Sequence, residues 1–142
     1  TGMTPVHLNM ITNAIANDGV LMKPYVIDFV ENSMGSVVKQ FSPSSEKRLI
    51  SSEEAAALKE LMRGVVEEGT ASRLKGLSYT AAGKTGSAEY NTVKGDSHAW
   101  FTGFAPVDDP KISVTIIIEG AGSGGDFAVP IAKRIFDAYF QE

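Results

Sequence analysis

Residues 111–119, Lys-Ile-Ser-Val-Thr-Ile-Ile-Ile-Glu, are almost continuously β-branched between two charged ends. Such side chains lose little freedom in an extended backbone and pack well on a pleated surface, so the run predicts a strand. Its lack of polar alternation predicts a strand buried at the centre of a sheet. The glycine-rich turn 120–125 follows, and then a helix capped by Asp126. That helix carries the apolar face Ala128, Ile131, Ala132, Ile135 and Tyr139, with Pro130 tolerated in its first turn.

The rest of the chain falls into place around this end. Thr4-Pro5 reads as an N-cap with proline at the first helical position. Leu8, Ile11, Ala14 and Ile15 recur at helical spacing, and Asn17-Asp18-Gly19 supplies the stop. The runs 25–31 and 36–41, divided by Asn32-Ser33-Met34-Gly35, predict a hairpin, and the polar stretch 42–48 a loop. Ser51 and Glu54 form a capping box for a helix with the stripe Leu58, Leu61, Met62, Val65 and Val66. Gly64 within it costs about 1 kcal/mol against alanine, which predicts close packing there. After a turn at Lys75-Gly76, residues 79–90 are expected to be extended and 91–97 a polar loop. An aromatic-rich strand over 98–105 and a turn over 106–110 follow. The order helix, hairpin, helix, three strands, helix predicts an α+β fold. In it an antiparallel sheet is flanked by helices and its last three strands pair consecutively.

A length of 142 residues, with 43% hydrophobic and 21% charged, describes one globular domain rather than a disordered chain. Lys and Arg number 13 against 17 Asp and Glu, a net charge of −4. Phosphate neutralisation needs clustered positive charge, so nucleic acid is not an expected partner. The absence of cysteine excludes disulfides, thiolate zinc sites and cysteine nucleophiles. No apolar run approaches the ~18 residues of a membrane span, and Thr1-Gly2-Met3-Thr4-Pro5 has no charged region ahead of an apolar stretch. Neither a span nor a signal peptide is predicted. His7 and His98, with no accompanying ligand pattern, predict no metal site, and no cofactor is expected.

Three motifs fail on context. Gly120-Ala-Gly122-Ser-Gly124-Gly125 fits G-x-G-x-x-G between a strand and a helix. A dinucleotide fold needs a second parallel strand beyond that helix, and the bland reading is a flexible turn. Residues 78–85 match a P-loop except that Ser78 stands where the first glycine belongs, and the residues after Thr85 read as strand rather than helix. Ser44-Ser-Glu-Lys47 fits S-x-x-K, but it follows Pro43 in a polar loop instead of opening a protected helix.

A fourth motif survives. Lys84-Thr85-Gly86 lies in an expected strand and continues into Ser87-Ala88-Glu89; eleven residues separate Gly86 from His98-Ala-Trp100-Phe101-Thr-Gly-Phe-Ala-Pro106. Flanking pieces are Thr4-Pro5-Val6-His7-Leu8, Ala16-Asn17-Asp18-Gly19 with Lys23-Pro24, and Gly69-Thr70-Ala71. As a set these resemble the penicillin-binding transpeptidases, in particular the monofunctional class B type, over nearly all of the chain.

The resemblance implies a β-lactamase/transpeptidase-like fold and a serine-type D,D-transpeptidase. In that family a serine attacks the penultimate D-Ala carbonyl of a peptidoglycan stem peptide, and an amine from a neighbouring stem resolves the acyl-enzyme. β-Lactams mimic the D-Ala-D-Ala end and stall at the acyl stage. Position by position, Lys84 is implied as the cation for the substrate carboxylate and as a helper in the proton relay. The Thr85 hydroxyl serves the same carboxylate, and Gly86 lets substrate lie along the strand edge. The backbone N–H of Ser87 is implied as an oxyanion donor. Trp100 and Phe101 are expected in the core rather than walling the cleft.

The family also has a nucleophile on a buried helix far upstream and a second motif, S-x-N, which this chain lacks. Residues 1–142 are therefore expected to be the C-terminal half of a transpeptidase domain, inactive alone. Its expected partners are a stem peptide, β-lactams, the upstream half and, across an exposed apolar edge or face, another copy. Localisation on the extracytoplasmic face of a bacterial membrane follows by resemblance, with membrane contact only through an N-terminal anchor not seen in this chain. Two alternatives share the motif: a serine β-lactamase or β-lactam sensor domain, and a non-catalytic module binding stem peptides on the strand edge.

Overall fold

The computed structural model describes residues 2–90 and 97–141. Helix α1 (Pro5–Ala16) opens as its sequence dictates: the Thr4 hydroxyl accepts from the His7 N–H at 3.2 Å, and Pro5 needs no partner for an N–H. It ends where Asp18 and Gly19 take positive φ, 51° and 85°. Strand β1 (Val20–Met22) comes next, and then β2 (Phe29–Glu31) and β3 (Val37–Gln40) as an antiparallel hairpin. The Asn32 carboxamide oxygen accepts from the Met34 and Ser36 amides and fixes that turn.

Strand β4 (Ser45–Arg48) pairs with β1 and leads into α2 (Ser52–Glu67). The capping box is complete: Glu54 N–H donates to the Ser51 hydroxyl at 3.1 Å, and Ser51 N–H to the Glu54 carboxylate at 2.8 Å. Ser51→Ala is expected to cost ~1 kcal/mol in chemical denaturation, the usual worth of a cap.

Strands β5 (Ala82–Glu89), β6 (Ser97–Ala105) and β7 (Ile112–Ile118) form an antiparallel sheet in that order. Lys84 lies opposite Thr102 and Gly86 opposite Trp100. A five-residue π-helical turn, Gly124–Ala128, leads into α3 (Val129–Phe140). One sheet face packs on α3, with Phe101 fully buried among Leu74, Val129, Ala132 and Phe136. The other face meets α1 and α2, where Phe104 and Ala82 pack on Ala16 and Met62. Gly83 and Gly103 face each other across β5 and β6, and a side chain at either would overlap the Phe101 ring.

Several expectations are corrected. Residues 45–48 form a strand, not a loop: the segment is polar and exposed throughout, so nothing in its hydropathy shows the pairing that its backbone makes with β1. Ser97 opens β6; the rest of the loop expected over 91–97 lies outside the described residues. β7 is half-buried and, among the described residues, sits at the edge of its sheet rather than the centre.

Asp126 does not cap a helix. It lies inside the π-helical turn, 3.5 Å from Arg73, and α3 begins at Val129, its N-cap Ala128 giving no side-chain cap. Of the expected apolar face, Ala128 and Ala132 do pack, joined by Val129 and Phe136, and the two small residues let the helix approach the sheet. Ile131, Ile135 and Tyr139 of the expected face are 38–48% exposed.

Gly64 has open space where a Cβ would stand, so no neighbour requires it. Gly64→Ala is expected to raise stability by ~1 kcal/mol, read as a shift in the urea midpoint.

A polar latch ties the approach to β5 onto α3. The Tyr79 hydroxyl donates to Asp137 at 2.8 Å, and Lys133 reaches the other carboxylate oxygen at 2.6 Å. The Lys133 and Tyr79 hydrogen bonds hold the Asp137 carboxyl below its ordinary 3.8. A depressed acid contributes stability above the unfolded-state value and loses it as pH falls through the folded one. Asp137→Asn should therefore be less stable than wild type at neutral pH, and the gap should close in strong acid. Among the described residues, no helix is long and apolar enough to cross a membrane.

Candidate active site

Strand β5 has β6 on one side, and among the described residues no strand pairs with its other edge. Residues 84–87 run along that open edge. Directly opposed residues of an antiparallel pair share a face, so Lys84 leaves the sheet with Thr102 toward α1 and α2. Thr85 leaves with Phe101 toward α3.

The Lys84 ammonium folds back and donates to the Thr85 carbonyl at 2.7 Å, which holds a positive charge at the strand edge. Beneath it runs a ladder of hydroxyls. Thr102 Oγ1 lies 2.6 Å from Thr12 Oγ1 and 2.7 Å from Thr115 Oγ1, and Thr115 donates to Asn9 at 3.1 Å. Beside Lys84 an apolar groove of about 430 Å³ opens between the two helices, lined by Ile11, Ile15, Leu58 and Leu61.

Thr85 is only 9% exposed, and its hydroxyl meets that of Thr70 at 2.5 Å. One proton serves the mutual bond, which leaves the pair a second O–H to donate. Thr70 is a site neighbour that sequence reasoning noted without giving it a role, because fifteen positions of chain separate it from Thr85. Gly86 is half-buried over Trp100 and Ser87 is exposed. Both line a recess of about 290 Å³ with Met3, Leu8, Ala88 and Trp100. Phe101 is core, as expected, whereas Trp100 is half-buried, and among the described residues its indole N–H has no hydrogen-bond partner.

The other motif residues lie elsewhere. His7 is exposed; His98 stacks on Tyr90 at 4.2 Å, and its Nδ1 accepts from the Gly120 N–H at 3.0 Å. No three metal-ligating side chains cluster among the described residues. β5 continues unbroken through Lys84 and Thr85, so no helix N-terminus stands where a P-loop needs one. Lys47 lies in extended β4, and three residues along a strand point to opposite faces.

Ser36 to Lys39 and Ser72 to Lys75 also fit S-x-x-K. Both serines are exposed. The Lys39 ammonium sits 4.6 Å over the Phe41 ring, and Lys75 donates to the Glu67 carbonyl at 2.9 Å.

The family model for the penicillin-binding protein transpeptidase domain matches residues 1–137. The chain is 32% identical to peptidoglycan D,D-transpeptidase PbpA of Mycolicibacterium smegmatis, over 99% of its own length and 30% of the relative's. It is 30% identical to peptidoglycan D,D-transpeptidase MrdA of Haemophilus influenzae, over 98% of its length and 24% of the relative's. It thus spans under a third of either protein. Among solved structures, the D,D-transpeptidase domain of a peptidoglycan glycosyltransferase from Eggerthella lenta superposes with a TM-score of 0.86 at 33% identity, covering 98% of this chain and 33% of that one. Penicillin-binding protein A of M. tuberculosis, solved as a ceftriaxone acyl-enzyme complex, gives 0.88 at 29% identity, covering 97% and 32%. The mixed antiparallel architecture is therefore that of the β-lactamase/transpeptidase-like fold. The chain belongs to the penicillin-binding protein transpeptidase family, in its class B branch, a family of peptidoglycan D,D-transpeptidases.

Proposed function

We propose that residues 1–142 form the C-terminal half of a peptidoglycan D,D-transpeptidase domain and supply the K-T-G edge of its penicillin-binding cleft. The observation that carries this reading is the open β5 edge, where the Lys84 ammonium is held on the Thr85 carbonyl and Ser87 is exposed. A stem peptide adds there as a further strand, its terminal carboxylate meeting Lys84 and the hydroxyls of Thr85 and Thr70.

A serine from the upstream half attacks the penultimate D-Ala carbonyl. Negative charge then grows on that oxygen, and the Ser87 N–H donates to it; one such donor is typically worth about 2.7–4 kcal/mol in the transition state. The terminal D-Ala departs as the amine, and the amino group of a neighbouring stem resolves the acyl-enzyme. β-Lactams enter the same cleft and stop at the acyl stage. The chain needs no cofactor for this chemistry, works on the extracytoplasmic side of the membrane, and forms no acyl-enzyme by itself.

The test joins this chain to the upstream part of the domain and supplies a stem peptide ending in D-Ala-D-Ala with an amine acceptor. Release of D-Ala with formation of the cross-linked product, blocked by penicillin, is the expected result. Fast β-lactam turnover would instead make it a β-lactamase. Reversible peptide binding without acylation would make it a binding module.

A further inference from the structure

The glycine-rich turn, which reads as a loose connection in sequence, lies against the back of the K-T-G strand. Gly124 sits over the paired backbones of Gly86 and Trp100. A Cβ there would stand 2.6 Å from the Gly86 carbonyl oxygen and 3.1 Å from its nitrogen, and would overlap the Trp100 carbonyl oxygen. A Cβ on Gly125 would stand 2.7 Å from the Thr70 carbonyl oxygen. Gly124 and Gly125 begin the π-helical turn that leads into α3, so the contact is anchored to an element packed on the sheet. From Thr70 the connection returns to the strand through the Thr70–Thr85 hydroxyl pair.

We infer that Gly124 and Gly125 are positioning residues of the active site: their bare backbone, wedged between Gly86 and Thr70, sets where the Ser87 N–H lies. This rests on the transpeptidase reading above. Gly86 carries no side chain on either face, so backbone-to-backbone contact is what locates it. A methyl at Gly124 has backbone atoms on every near side and no flexible side chain to push away. The strand must give, and the oxyanion donor moves with it. Misplacement on the scale of 1 Å in such a group costs about 10²-fold in rate.

The test is Gly124→Ala, with Gly64→Ala as the same chemical change in open space. In the 142-residue chain, the Gly86 and Ser87 amide resonances should move in Gly124→Ala and stay in place in Gly64→Ala. In the domain completed by its upstream part, the penicillin acylation rate constant should fall about 10²-fold, with the dissociation constant before acylation little changed. A purely structural role would lower the unfolding midpoint and leave that split unmoved. If Gly124→Ala does not fold, Gly125→Ala serves, since its clash is with the Thr70 carbonyl alone. Unmoved amides with wild-type acylation in the folded variant overturn the inference. A wild-type domain that fails to acylate overturns the transpeptidase reading instead, and the amide shifts still decide the positioning.

Discussion

Lys84→Ala, in the domain completed by its upstream part, lowers acylation by carboxylate-bearing penicillins by roughly 30- to 5000-fold. The range corresponds to the ~2–5 kcal/mol lost when one partner leaves a desolvated, hydrogen-bonded charge pair, at about 1.36 kcal/mol per factor of ten. The fold should not suffer, because Lys84 is exposed and, among the described residues, it hydrogen-bonds only to its own strand. An esterified penicillin separates a carboxylate contact from any general effect. The wild-type domain should acylate faster with the free acid than with the ester, whereas Lys84→Ala should treat both alike. A variant that keeps the full preference for the free acid would show that another group holds the carboxylate.

Phe101→Ala is the substitution with the largest expected cost in stability, about 3–5 kcal/mol. The ring is fully buried, and two of its walls are the backbones of Gly83 and Gly103, which cannot collapse into the space it leaves. Gly83→Ala should also destabilise, by about 1–3 kcal/mol, because its methyl enters the ring's volume. The two changes should compensate. With the ring gone the methyl loses its two closest clashes and keeps only the one with the Thr102 carbonyl oxygen at 2.9 Å, so the double variant should cost less than the sum by about 0.5–3 kcal/mol. Denaturant midpoints of the four proteins give this coupling directly, and strict additivity would contradict the packing described.

The parts of the fold that were legible in sequence are those written in local chemistry. Thr4-Pro5 and the Ser51–Glu54 box each place a helix start through side chains within three residues of one another. The hairpin follows from turn residues between apolar runs. The losses occur where tertiary pairing decides. Strand β4 is polar on both faces, so only its backbone bonds to β1 define it. The α3 face was legible in part: Ala128 and Ala132 are buried as expected, but Val129 and Phe136 complete the packed stripe where Ile131, Ile135 and Tyr139 were expected, a rotation about the helix axis that only the sheet's position decides.

The site divides in the same way. K-T-G and its strand were visible from contiguous residues. The Thr70 hydroxyl on Thr85 and the Gly124 contact on Gly86 were not, since they join positions 15 and 38 residues apart.

On the proposed function, this chain furnishes the K-T-G edge of an acylating site whose nucleophile comes from the upstream half. Labelling with a fluorescent penicillin, followed by mapping of the adduct, tests it most directly. The chain alone should take no label, and the chain combined with the upstream part should yield one adduct on a serine outside residues 1–142. Covalent label on the chain alone, at Ser36, Ser44, Ser72 or any other of its serines, would contradict it.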